Sequence, residues 1–228
     1  CNAIKFGTES TAGFRNVTIT NCVIRKSAAE TVKTGLSEGI CGIALEIVDG
    51  GIMENINISN IVVDGPHVPL FVRLGNRARK HYDEAPQPLV GSISNINISG
   101  ITAYASSPIG CSITGILKGK VKGISLSNSR FVCPGGITEN IDNVIIKELE
   151  ELYPESTMFG TLPSYGLYVR HVNDINLNNI VFDLKNADSR PAIVCDDVTG
   201  GNIQNITTIG AKKKAEIKIL DNSTVKLK

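Results

Sequence analysis

One short phrase recurs along this chain and limits its fold more than any other feature: Asn or a substitute, aliphatic, small polar, aliphatic, small polar, then Asn or Gly. It reads Asn16-Val-Thr-Ile-Thr-Asn21, Asn55-Ile-Asn-Ile-Ser-Asn60, Asn95-Ile-Asn-Ile-Ser-Gly100, Gly123-Ile-Ser-Leu-Ser-Asn128 and Asp174-Ile-Asn-Leu-Asn-Asn179. A sixth copy, Asn205-Ile-Thr-Thr-Ile-Gly210, stands one residue out of phase. Period-two alternation with β-branched residues makes each phrase a strand with its aliphatics on one face. The closing position is always Asn or Gly, the types that enter the left-handed backbone region most readily, so a sharp bend is expected once per unit. Asn side chains stacked at such bends can bond to one another.

A second strand family alternates with the first: Ala3-Ile-Lys-Phe-Gly7, Ala44-Leu-Glu-Ile-Val48, Phe71-Val-Arg-Leu-Gly75, Ser112-Ile-Thr-Gly-Ile116, Tyr168-Val-Arg-His-Val172 and Ile193-Val-Cys-Asp-Asp197. Their spacing runs from 25 residues (169 to 194) to 56 (113 to 169). The short spacings give the bare unit, and the long ones carry insertions. Two strands and a bend in so short a unit, with no helical period, specify the coil of a right-handed parallel β-helix. A propeller blade would need four strands.

The expectation is an all-β chain of about six coils, with residues 1–228 in one domain. Insertions fall near 25–40, 76–91 and 133–164, where Gly, Pro and charge replace alternation. Within the last, Asp142 is expected to cap a short helix through Val144, Ile145, Leu149 and Leu152 that stops at Pro154. Because Cys1 opens inside a patterned segment, the chain reads as a fragment of a longer β-helix. The Asn-x-Ser/Thr triplets at Asn16, Asn57, Asn97 and Asn205 are by-products of the strand phrase rather than glycosylation signals.

Charge narrows the function. With 23 Lys+Arg against 22 Asp+Glu, the net charge of +1 supplies no broad footprint for nucleic acid or an anionic membrane. The one basic run, Lys212, Lys213 and Lys214, reads as a solvated chain end. No window approaches the roughly 20 apolar residues that span a bilayer. The six Cys show neither a Cys-x-x-Cys pair nor His at zinc spacing, so no metal or other cofactor is expected and small buried thiols are the reading.

Stacked parallel strands lie about 4.8 Å apart, so one position of the repeat becomes a stripe on the surface. In the second family the flanking aliphatics face in. Lys5, Glu46, Arg73, Thr114, Arg170 and Cys195 then face out, with Ala3 and Ala44 as a groove floor. Such a stripe is either an ion-pair ladder of little energetic weight or a binding groove. The run Arg73-Leu-Gly-Asn-Arg-Ala-Arg-Lys-His81 carries further cations, Arg77 among them, into a loop. Arg grips a carboxylate with two parallel bonds. With no Trp and only 5% aromatics, the chain suits an acidic sugar better than a neutral glycan.

The opening phrase, the run Gly42-Ile-Ala-Leu-Glu-Ile-Val-Asp-Gly-Gly51 leading into Asn55, and Tyr153-Pro-Glu-Ser-Thr-Met-Phe-Gly160 followed by Tyr165-Gly-Leu-Tyr-Val-Arg-His171 resemble bacterial glycoside hydrolases of family 28. These are the polygalacturonase and rhamnogalacturonan-hydrolase group. The likeness covers nearly the whole chain but only the carboxyl-terminal half of such an enzyme. It implies a right-handed parallel β-helix, inverting hydrolysis of pectic chains, and a secreted or periplasmic location. It also implies that the catalytic aspartates, in an Asn-Thr-Asp and an Asp-Asp motif, precede Cys1. The family's Gly-His-Gly site falls on Cys1-Asn2-Ala3, which puts Asn2 at the histidine. Its Arg-Ile-Lys site falls on Ala44-Leu45-Glu46, without either cation.

The expected substrate-binding residues are therefore Asn2, Lys5, Glu46, Arg73 and Arg77, the two arginines replacing the missing cations. Inversion needs two carboxyl groups roughly 6.5–9.5 Å apart, one donating a proton and one activating water. Glu46 is the one acid placed on the groove face, so the acid pair is expected upstream and this chain alone is expected to be inactive. A non-catalytic β-helix that binds acidic glycans is the second reading. A pectate-lyase-like enzyme is the third, although Asp196 and Asp197, adjacent in a strand, should point to opposite faces and not share a calcium ion.

Overall fold

The computed structural model describes residues 1–29, 36–139, 141, 144–211 and 216–228. They form β1 (Ile4–Phe6), β2 (Gly13–Arg25), β3 (Cys41–Ile47), β4 (Ile52–Asp64), β5 (Val68–Leu74), β6 (Ser92–Tyr104), β7 (Cys111–Thr114) and β8 (Val121–Cys133). Then follow β9 (Leu167–Leu184), β10 (Ile193–Ile209), β11 (Ile217–Ile219) and β12 (Lys226–Leu227). No α-helix occurs among the described residues, and no helix there is long and apolar enough to cross a membrane.

All pairings between these strands are parallel. One ladder stacks β1, β3, β5, β7, the start of β9, the start of β10 and β11. The other stacks β2, β4, β6, β8, the end of β9, the end of β10 and β12. The two strand families join without interruption in β9 and β10, and the sheet nearly closes around an axis. This is a parallel β-helix-like solenoid.

Each recurring phrase is bracketed by two bends, one more than the sequence suggested. Asn16 and Asn21, Asn55 and Asn60, Asn95 and Gly100, Gly123 and Asn128, and Asp174 and Asn179 all have positive φ. Asn occupies left-handed backbone at modest cost, and Gly at none. The side chains also stack: Asn55 Nδ2 donates to Asn16 Oδ1 (2.9 Å), Asn60 to Asn21 (3.3 Å) and Asn179 to Asn128 (2.9 Å). The sixth phrase needs correction. Asn202 pairs with Asn176 and Ile203 with Leu177, so Asn205, at φ 54°, is the closing bend, and Gly200-Gly201 stand in for the opening residue.

Between the bends the aliphatics turn inward. Met53, Ile56, Ile58, Ile61 and Val63 of β4 lie against Ile93, Ile96, Ile98, Ile101 and Ala103 of β6, all of them buried. Burying each large side chain stabilises the stack by roughly 1.5–3 kcal/mol. Cys41, Cys111, Cys133 and Cys195 are buried thiols. Cys195 packs in the main core instead of facing out.

Strands β3, β5 and β7 are buried on both sides. Residues 144–163 explain this, because they lie across the outward side as a strap. The expected helix there does not form; Asp142, its proposed cap, lies outside the described residues. The carbonyls a helix would use internally are taken individually: Ile146 O by Arg170, Glu148 O by Arg73 and Glu150 O by the Asn76 amide. Ala44 is likewise no groove floor, since Met158 and Phe159 of the strap pack on the patch formed by Cys41, Ala44, Val68 and Phe71. Lys212, Lys213 and Lys214 also lie outside the described residues.

Candidate functional site

The outward row of the first ladder contains Glu46, Arg73, Thr114, Arg170 and Asp196 in register. Two members differ from the expected stripe. Asp196, not Cys195, follows Arg170. Lys5 pairs with Ala44 and so sits two residues from Glu46 in register, yet its long side chain places Nζ 3.0 Å from Glu46 Oε2.

Around Lys5 the strap and the loop after β5 close together. Lys5 Nζ donates to the Tyr153 hydroxyl (3.2 Å) and lies 3.8 Å from Glu155 Oε1. Asn2 Nδ2 donates to Glu155 at 3.5 Å. Tyr153 is half exposed, and its ring centroid lies 4.9 Å from Lys5 Nζ and 5.4 Å from the Arg77 guanidinium carbon. Arg77 is already engaged: it donates through Nε to Asp49 Oδ1 (2.9 Å) and through Nη2 to Asp49 Oδ2. Asp49 also accepts the Arg79 amide at 3.0 Å. Three cations, Lys5, Arg77 and Arg79, thus face four carboxylates, those of Glu9, Glu46, Asp49 and Glu155.

Burial shapes the protonation here. Glu46 is fully buried, and its oxygens have no aligned hydrogen-bond donor; Lys5 lies close enough to pair charge but off the bonding direction. Burial therefore pushes the Glu46 carboxyl up to about 7, with Lys5 offsetting part of the effect. For Lys5, burial is the largest single influence and pulls downward, but Glu46, Tyr153 and Glu155 together hold the ammonium above its ordinary value. The Asp49 hydrogen bond raises Arg77 further.

Arg73 departs from expectation. At 2% exposure it does not reach solvent; Nη1 donates to Gly115 O (2.9 Å) and Nη2 to Glu148 O (2.6 Å). Burial lowers its guanidinium to about 10, against the pull of Glu148. Arg73 therefore fastens the strap and, in this arrangement, cannot touch a ligand.

Further along the row lies a second network that sequence reasoning missed. Glu148 Oε1 receives Arg170 Nη2 (2.5 Å) and His171 Nε2 (2.9 Å), while His171 Nδ1 lies 2.6 Å from Asp197 Oδ2. Lys120 Nζ meets Asp197 at 2.7 Å. Asp196 accepts from Tyr168 (2.8 Å) and Asn222 (3.0 Å) and lies 3.3 Å from Arg170 Nε. His171 and Asp197 both have left-handed backbones, φ 52° and 53°. That bend breaks the strand alternation, so Asp196 and Asp197 join one network instead of opposing faces. Although burial raises Asp197, its Lys120 and His171 bonds outweigh it and hold the carboxyl below its ordinary value. Among the described residues, no group of three His, Cys, Asp or Glu side chains is placed to hold a metal ion.

Beside Asp49 a cavity of about 360 Å³ is lined by Glu9, Thr11, Asp49, Arg79, Lys80 and His81. Compared with family models, curated proteins and solved structures, the chain gives no match.

Proposed function

We propose that this chain belongs to a glycoside hydrolase of pectin-type acidic polysaccharide, secreted or periplasmic, which cleaves galacturonate-containing bonds with inversion. Its architecture on this reading is a right-handed β-helix of about six coils, the hand that parallel crossovers take in about 98% of cases. The carboxylate pair is supplied ahead of Cys1, and this chain contributes one wall of the substrate groove. The observation that carries the reading is the Lys5–Tyr153–Arg77 cluster beside the cavity of Arg79, Lys80 and His81. A sugar ring suits the exposed Tyr153 ring, and the loop cations suit a uronate carboxylate. Asp49 holds Arg77 and Glu46 holds Lys5, so the cations most open to a ligand are Lys80 and Arg79, the latter exposed and paired with the exposed Glu9.

One observation favours a non-catalytic acidic-glycan-binding β-helix as the second reading: Glu46, among the described residues the one carboxyl whose protonation is shifted toward neutrality, has both oxygens shielded from solvent. Incubating the full-length protein with oligogalacturonides separates the readings. Hydrolysis is expected to give new reducing ends with inverted anomeric configuration by proton NMR. Binding without new ends would establish the binder, and unsaturated products absorbing in the ultraviolet would establish a lyase.

A further inference from the structure

The contacts of Glu148 are incomplete in a specific way. Its Oε1 takes donors from both Arg170 and His171, while its buried Oε2 has no partner. The side chain is still 34% exposed, so this cradle opens to solvent. Next to it, between the strap and β10, a cavity of about 220 Å³ is lined by Ile145, Tyr168, Arg170, Val194, Asp196 and Leu220. Arg170 lines this cavity and turns Nη2 to Glu148, Nη1 to Ile146 O and Nε toward Asp196. Releasing residue 148 and the Ile146 carbonyl therefore frees two guanidinium nitrogens beside an apolar and aromatic wall, a fork that can grip the carboxylate of a ring. The strap that carries Glu148 makes no strand or helix. Downstream it is anchored by apolar contacts of Met158, Phe159 and Leu162, whereas residues 144–153 are tied by Arg73, Arg170, His171 and Asn76 and by one buried apolar side chain, Ile146, packed with Leu162, Tyr168 and Val194.

We propose that Arg170 and His171 form a second binding site for an acidic sugar, now filled by the Glu148 carboxylate as an internal stand-in, and that residues 144–153 lift when a uronate displaces it. The inference rests on the acidic-polysaccharide reading for its ligand class. Glu46 and Arg170 are three strand steps apart in one row, about 14 Å. The cradle is therefore a site apart from the Lys5 cluster, whose Tyr153 belongs to the strap itself. A uronate offers two oxygens where Glu148 uses one, and removing the internal competitor raises the fraction of protein ready to bind.

The test is calorimetric binding of hexagalacturonate to the full-length protein, its Glu148→Gln variant and the Glu148→Gln/Arg170→Gln double variant, with cleavage assayed in parallel. Glu148→Gln is expected to bind about tenfold more tightly than the parent, and the added Arg170→Gln change to abolish the gain. In the unmutated protein, ligand should speed amide exchange across residues 144–153, which keeps the proposal testable should a variant fold poorly. Equal affinity of parent and Glu148→Gln, or a gain that survives loss of Arg170, overturns the site and leaves the hydrolase reading standing. Slower or unchanged exchange in the strap also overturns it. Tighter binding without cleavage by the parent supports the site and removes the hydrolase reading. Absence of binding by every form overturns both.

Discussion

Glu46 holds a proton more tightly folded than unfolded, because burial strips its water and Lys5 returns only part of that loss. With its carboxyl raised from 4.5 to about 7, the folded state binds more protons than the unfolded one across that window. Stability from this group is therefore full below about 4.5, declines as pH rises, and is gone above about 7, a loss on the order of 3 kcal/mol. Glu46→Gln keeps the shape without the charge. Urea unfolding should give parent and variant equal stability near about pH 4 and a more stable variant near about pH 8. A parent whose stability rises over that interval would refute the assignment. Lys5 and Glu46 were legible in the sequence as one outward face, because face depends only on odd or even position. Their neighbours along the row were not, since a two-residue slip at β1 preserves the face and changes the partner. The bends were legible at Asn60 and Asn128, where Asn closes the phrase. They were missed at His171 and Asp197, whose residue types give no such signal.

The strap marks where local pattern stops informing. Gly, Pro and charge identified residues 133–164 as an insertion, but nothing local says that it folds back over β3, β5 and β7. Covering that face turns an outward Arg into a buried one, and so Arg73, expected on the groove surface, lies beneath the strap. Its guanidinium satisfies the carbonyls of Gly115 and Glu148, and Phe159 packs against it at 5.2 Å. Arg73→Met retains the aliphatic volume but leaves both carbonyls without their donors, which should cost about 2–4 kcal/mol in a denaturant titration. Solvent-facing Arg79→Met, 62% exposed and paired with Glu9, should cost less than about 1 kcal/mol. Equal effects of the two changes would mean that Arg73 does not fasten the strap.

A stack of windings is held by nearest neighbours, so its stability follows the length and burial of each pairing and is not uniform along the axis. This architecture was the most legible feature, because the phrase recurs often enough for one winding to check another. Pairing in β4, β6 and β8 runs over thirteen-residue strands whose inward positions are closed to water. By contrast, β11 and β12 pair only three and two residues with β10, and their side chains are half-buried or exposed. Opening β11 and β12 therefore sacrifices few hydrogen bonds and little apolar contact, while opening β6 disrupts the winding on either side. Amide exchange followed by mass spectrometry should be slowest in peptides from β4, β6 and β8. It should be faster by orders of magnitude in β11 and β12, with the strap between the two because cations, not a strand ladder, hold it. Uniform protection from β2 to β12 would show that the chain opens only as a whole, and the independence of the strap assumed for ligand entry would then have no energetic basis.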